Sequence, residues 1–259
     1  MISWINPHRS LQGKPGSRLR ILASPGVLLA LIFILGLVLR VWYYSNKPCL
    51  SRDSTSYIKW ATSNELAGNI RSGFWRMPYI AFLRAVHSAG GNVESVAIAT
   101  NILCGALTAV VVVLIGRRGK IPGAEWAGFF TAVNFRLIDW CTEAQRETLY
   151  ILFVLLAFYC FFAYIDRGRL KDLLLIVFFG FLGFLMRVDV LPSMFAITIC
   201  SLLIMWRKKH PHFRRDLVLA SIFTLLLLGA YYFAACRYLD IRPDRQLMKI
   251  LHNQRWFRR

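Results

Sequence analysis

Apolar residues in this chain fall in long, nearly unbroken runs rather than alternating or tracing one helical stripe. Residues 27–39, 149–165, 173–186, 190–206 and 217–236 hold almost no ionised side chains. About twenty apolar residues coiled as a helix match the hydrocarbon thickness of a bilayer. A charge at the centre of such a span costs roughly 2.5 to 3.5 kcal/mol on insertion scales. The pattern predicts an all-α, polytopic transmembrane bundle forming a single membrane-embedded domain over residues 1–259. It predicts about seven spans, near 21–44, 93–115, 122–139, 147–165, 171–187, 190–206 and 216–236. The third is the least apolar, since it holds Glu125 and Asn134.

The polar segments between the runs set an orientation. The tail at 1–20 carries Arg9, Lys14, Arg18 and Arg20, and basic clusters recur at Arg117–Lys120, Arg167–Lys171 and Arg207–Arg215. With the N-terminus cytoplasmic these clusters share one side, as the positive-inside rule requires. The first run follows a basic stretch as a secretory signal would. It extends for a full span, however, and no small-residue cleavage site follows, so an uncleaved first helix is expected. The basic tail at 237–259 then falls outside. Either it binds anionic head groups or phosphates there, or the span count is off by one.

The longest connection, residues 45–92, lies on the outer side and is too long for an idle loop. Tyr57, Trp60 and Ala61 recur at helical spacing within 54–66. Pro78 opens a second segment with Tyr79, Phe82, Leu83 and Val86 on one side. Both pieces are too short to span, and two amphipathic surface helices joined by a turn at 71–73 are expected.

Composition agrees with a membrane protein: 57% of residues are hydrophobic. The net charge of +19 is dispersed in loop clusters instead of forming one basic face, so no nucleic-acid partner is implied. The six cysteines lack metal or redox spacing and read as small buried hydrophobes. There is no Walker loop, GxGxxG, DxD or His/Cys cluster, so nucleotide and zinc chemistry have no support in the sequence.

The candidate chemistry lies on the outer side. Asp53 can act as a base toward a hydroxyl, or Asp53 or Ser54 can cap the helix that follows; the two roles are compatible. Asp139, Glu143 and Glu147 recur at four-residue intervals, a repulsive acidic stripe leading into the fourth span. A solvated face beside the membrane would also explain that stripe. Arg187 and Asp189 interrupt two apolar runs, which marks either an anion site or a tight hairpin turn. Arg76, just before Pro78, suits a lipid phosphate through its two-pronged guanidinium, although head-group snorkelling would place it there as well.

In order and spacing these features resemble the N-terminal module of the lipid-phosphate-sugar glycosyltransferases of the GT-C fold, the protein mannosyltransferase and aminoarabinose transferase-like group. The carrying residues are Asp53, Tyr57 and Ala61; Arg76-Met-Pro78-Tyr79; Glu147-Thr-Leu-Tyr150; and Gly180-Phe-Leu-Gly183-Phe-Leu-Met-Arg187. The family's Asp-Glu pair stands here as Asp53-Ser54. The resemblance implies Asp53 as base, with Glu147 or Glu143 as a second acid near acceptor or sugar. It implies Arg76 and Arg187 as phosphate partners, with Tyr57 and Asp189 beside the substrate. The implied donor is a polyprenyl-phosphate-linked sugar and the acceptor a lipid, glycan or protein, without cofactor or metal, in a bacterial plasma membrane. Two alternatives stand beside this reading: a non-catalytic subunit of the same architecture that binds polyprenyl lipid, and a small-solute transporter.

Overall fold

The structure, a computed structural model, describes residues 24–47, 50–63, 77–187, 196–197, 199–200, 203–204 and 213–239. Among these the chain is helical throughout, with no strand. In chain order the helices are α1 (Pro25–Asn46), α2 (Arg52–Thr62), α3 (Met77–Ser88), α4 (Val93–Arg118), α5 (Ala124–Val133), α6 (Phe135–Cys141), α7 (Glu147–Arg167), α8 (Leu170–Met186) and α9 (Phe213–Leu239). Among the described residues four stretches are long and apolar enough to cross a membrane: Pro25–Asn46, Val93–Arg118, Glu147–Arg167 and Arg214–Ala234. The spans predicted at 21–44, 93–115, 147–165 and 216–236 therefore appear as helices, displaced by a few residues at their ends. The span predicted at 171–187 is α8, a shorter helix of 17 residues. The one predicted at 190–206 lies mostly outside the described residues.

The third predicted span is broken. Asn134 ends α5 and begins α6, and its Oδ1 accepts a hydrogen bond from Leu137 N at 3.1 Å. An Asn side chain that captures a backbone N–H in this way competes with continuation of the helix through its own position. The other boundaries follow ordinary capping. Ser24 Oγ accepts from Val27 N with Pro25 next in line, and Asn92 Oδ1 accepts from Ser95 N at the start of α4. α7 ends at Gly168, whose φ of 59° places it in the left-handed region that a helix stop favours.

α4 is the centre of the bundle. It packs against α1, α5 and α7, while α7 packs on α8 and α8 on α9. Lipid supplies no hydrophobic force between helices, so close approach at small residues is what holds them. Gly128 of α5 shows this: a Cβ built there would overlap Val113 Cγ2 and sit 3.0 Å from Ala109 O of α4. Outward-facing positions remain apolar, as with Leu225, Leu226 and Phe233 of α9, which suits a surface in contact with acyl chains.

The two ends of the bundle differ. At one end lie the basic segments around 117 and 167. There Arg117 pairs with Glu125 at 2.9 Å and reaches Pro25 O at 3.2 Å, while Arg118 pairs with Asp166 at 3.3 Å. The last turn of α1, the starts of α4 and α7 and the end of α8 gather at the other. α2 and α3 are the two short helices predicted in the long connection, and they cover this second end. Their buried residues Tyr57, Ala61, Tyr79, Ile80 and Leu83 pack with Val93, Ala97, Ala144 and Met186. Their aromatic faces are thus turned toward protein. The turn predicted at 71–73 lies outside the described residues.

Candidate functional site

The covered end is organised by Glu143, in the turn between α6 and α7. The acidic stripe read from the sequence is not one helical face: α6 ends at Cys141 and α7 begins at Glu147, and while Asp139 and Glu143 share Lys47, Glu147 pairs elsewhere, with Arg187. Asn101 of α4 holds the turn open, its Nδ2 donating to Glu143 O at 2.6 Å and Gln145 O at 2.7 Å. A fully buried amide in the middle of an apolar helix is costly unless it is hydrogen-bonded, and here it fixes two carbonyls. That freezes the backbone from which Glu143 projects.

The Glu143 side chain is 5% exposed and accepts from four donors. Lys47 Nζ lies 2.5 Å from Oε1; Ser51 N and Ser51 Oγ donate to Oε2 at 3.0 and 2.8 Å; and Ser54 Oγ donates to the same oxygen. Lys47 also reaches Asp139 Oδ1 at 3.0 Å, which in turn accepts from Tyr43 Oη at 3.1 Å. Ser54 Oγ accepts from Ala144 N at 3.1 Å, and Ser51 Oγ from Gln145 Nε2 at the same distance. Burial alone would raise the Glu143 pKa; the hydrogen bonds from Lys47, Ser54 and Ser51 outweigh it and hold the carboxyl below its ordinary range. For Lys47, burial pulls the pKa down, and the bonds to Glu143 and Asp139 more than reverse it, leaving it raised. Glu143 is therefore a clamp joining α1, α2 and the 142–146 turn, with its lone pairs committed.

Ser51 is the N-cap of α2, its Oγ accepting from Ser54 N. The cap is neither Asp53 nor Ser54, and the reason is a distant contact: the Ser54 hydroxyl is drawn to Glu143, 89 residues along the chain. Asp53 stands exposed in the first turn, where the helix dipole favours an acid, and takes no ion pair among the described residues. Tyr57, one turn further on, is 6% exposed and edge-on to Tyr79, with ring centroids 5.3 Å apart. Burial pushes the Tyr79 phenol well up. Tyr57 thus serves the packing that seats α2.

Glu147, the first residue of α7, pairs through Oε1 with Arg187 Nη1 of α8 at 3.0 Å. Its Oε2 is buried with no hydrogen-bond donor among the described residues. The Arg187 guanidinium also sits 6.0 Å from the centroid of the Tyr150 ring. The structure thus brings Asp53, Tyr57, Glu143, Glu147 and Arg187 to one end of the bundle, whereas Arg76 and Asp189 lie outside the described residues. Lys47, Ser51 and Asn101 belong to this end too, and sequence reasoning passed over them. Asn101 was detectable as an amide inside an apolar run; Lys47 and Ser51 left no signal, being ordinary polar residues at a span's end.

A family model described as dolichyl-phosphate-mannose-protein mannosyltransferase matches residues 77–232, more than half of the chain. The match opens with α3, so α1 and α2, including Asp53 and Tyr57, precede it. No curated protein and no solved structure matches the chain.

Proposed function

The chain belongs to the dolichyl-phosphate-mannose-protein mannosyltransferase family, and from that premise we propose that it moves a sugar from a polyprenyl phosphate to a hydroxyl acceptor on the outer side of a bacterial plasma membrane. It is an integral membrane glycosyltransferase by family and by its apolar helices. In the finer reading it crosses about seven times, with α5–α6, α8 and residues 190–206 as the additional crossings and the basic end cytoplasmic.

In this reaction the acceptor O–H gives its proton to the Asp53 carboxylate as its oxygen forms a bond to the anomeric carbon. The bond from that carbon to the phosphate oxygen breaks, and its electron pair leaves on the polyprenyl phosphate. Attack opposite the leaving group inverts the anomeric centre. Negative charge grows on the departing phosphate, and the fixed guanidinium of Arg187, joined by that of Arg76, stabilises it where it develops. Glu147 holds Arg187 in place and presents a second carboxylate oxygen toward acceptor or sugar. Glu143 acts at one remove, as the positioning residue for the helix that carries Asp53.

The observation that carries this reading is the division of labour among the acids. Glu143 is saturated with donors, Glu147 is half engaged with Arg187, and Asp53, at a helix start, takes no ion pair among the described residues. The test is transfer from a radiolabelled polyprenyl-phosphate sugar in proteoliposomes, comparing wild type with Asp53→Asn. The variant keeps the shape and first-turn position of the side chain but loses the base, so transfer should fall by about 10² to 10⁴. Equal transfer by the two proteins would overturn Asp53 as base. Retained binding of polyprenyl phosphate with no wild-type transfer for any donor sugar would favour the non-catalytic subunit.

A further inference from the structure

Arg40 is the most deeply buried charge among the described residues. It projects from α1 at 0% exposure, below the Glu143 clamp. Nη1 donates to Gly36 O at 2.8 Å and Ala132 O at 3.2 Å, and Nε donates to Cys141 Sγ at 3.3 Å. Nη2 is equally buried and has no acceptor among the described residues. Among the described residues no carboxylate pairs with it; the acid nearest along α6, Asp139, is engaged by Lys47 and Tyr43. The charge of a guanidinium is permanent in a protein. An uncompensated one inside a membrane helix bundle costs several kcal/mol.

The surroundings are built to admit the group. A Cβ at Gly105 would overlap Cys141 Sγ and lie 2.7 Å from Arg40 Nε, so only a glycine of α4 lets the guanidinium through. Beside it is a partly open pocket of about 10 Å³, lined by Arg40, Gly105, Thr108, Trp140, Cys141 and Thr148 among others. That volume accommodates one water-sized guest. Thr148 Oγ1 has only long contacts, 3.5 Å to Trp140 O and 3.8 Å to Cys141 Sγ. A nearer acceptor would take its hydrogen. Arg40 and Thr148 both line this space, and each keeps a donor without a close acceptor among the described residues, Nη2 of the one and the hydroxyl of the other.

We propose that this cavity binds a single monatomic halide, chloride under ordinary conditions, as the counter-ion of Arg40. Water would satisfy the N–H but leave the charge standing, whereas a halide does both. Phosphate or sulfate would bring four oxygens to a space that, among the described residues, offers donors only from Arg40 and Thr148, leaving the rest unsatisfied. The site is separate from the acids at the covered end and does not depend on the transferase reading. Its role is to neutralise the centre of the α1–α4–α6 junction.

The experiment is thermal unfolding of the full chain in detergent at constant pH and ionic strength, with chloride replaced stepwise by gluconate. Binding to the folded state alone stabilises it in proportion to occupancy. A saturable rise in Tm with chloride or bromide, absent with sulfate, is the expected result. Thr148→Val should weaken the apparent halide affinity by about tenfold, as loss of one hydrogen bond to a charged group does. Arg40→Met should abolish the dependence. Should that variant fail to fold, equilibrium dialysis of the wild type with ³⁶Cl⁻ decides the matter, with one ion per chain expected. A Tm indifferent to halide, with no ion retained in dialysis, would mean that only water fills the cavity and would overturn the proposal.

Discussion

Glu143 and Glu147 sit four residues apart, at the same end of the bundle, each with a cationic partner from a distant part of the chain. Glu143 has donors on both carboxylate oxygens and binds Lys47, Ser51 and Ser54 into one network. Glu147 has one oxygen on Arg187 and the other buried without a donor among the described residues. A saturated buried carboxylate contributes to stability and has nothing left to offer a substrate. An unsatisfied one costs stability and persists where something else requires it. On the proposed function, that difference would assign the first acid to the scaffold and the second to the chemistry.

The sharpest way to break that assignment is to remove the scaffold acid. Glu143→Ala leaves Lys47 buried without its closest partner and strips acceptors from Ser51 and Ser54. Loss of one member of a buried, hydrogen-bonded pair costs about 3 to 5 kcal/mol. Unfolding in detergent should show a loss of that order, with α2 released first, visible as hydrogen exchange at its amides. If the variant unfolds like wild type while transfer disappears, the roles of the two acids are reversed.

The second test exchanges only charge. Glu147→Gln keeps an oxygen for Arg187 and fills the same space. Since the pair is partly exposed, its stability change should stay within about 1 kcal/mol, whereas transfer should fall by about tenfold or more through a misplaced Arg187. The decisive readout is the contrast with Glu143→Gln, which should lower Tm more and reduce activity only in step with the folded fraction. Parallel losses in both variants would erase the distinction.

How much of this was legible beforehand depends on range. The spans seen as α1, α4, α7 and α9 were readable because a long apolar run in lipid has to satisfy its own backbone, and only a helix does so. The short helices α2 and α3 were readable from Pro78 and from the spacing of Tyr57 and Ala61. The break at Asn134 was not, since a lone Asn caps or continues a helix according to its neighbours. Nor was the choice of Ser51 as cap, with three capping residues standing within four positions and the decision made by Glu143. Lys47 and Glu143 are 96 residues apart, and no local pattern connects them. Position along a membrane-spanning run is a one-dimensional property; which polar groups meet at its end is not.

The gentlest test is to titrate the clamp. Glu143 has a folded pKa below its ordinary value of 4.5, so its contribution is complete above that value and is lost as pH falls through the folded one. Lys47 is raised above 10.5, so its contribution is complete below that value and fades as pH rises through its folded pKa. The difference in Tm between wild type and Glu143→Gln should therefore be flat from about pH 5 to pH 10 and should shrink on either side. On the acid side the two proteins converge because protonated Glu143 resembles the glutamine. A difference that instead peaks near neutral pH would point to a titrating group outside this network and would remove Glu143 from the centre of the scaffold.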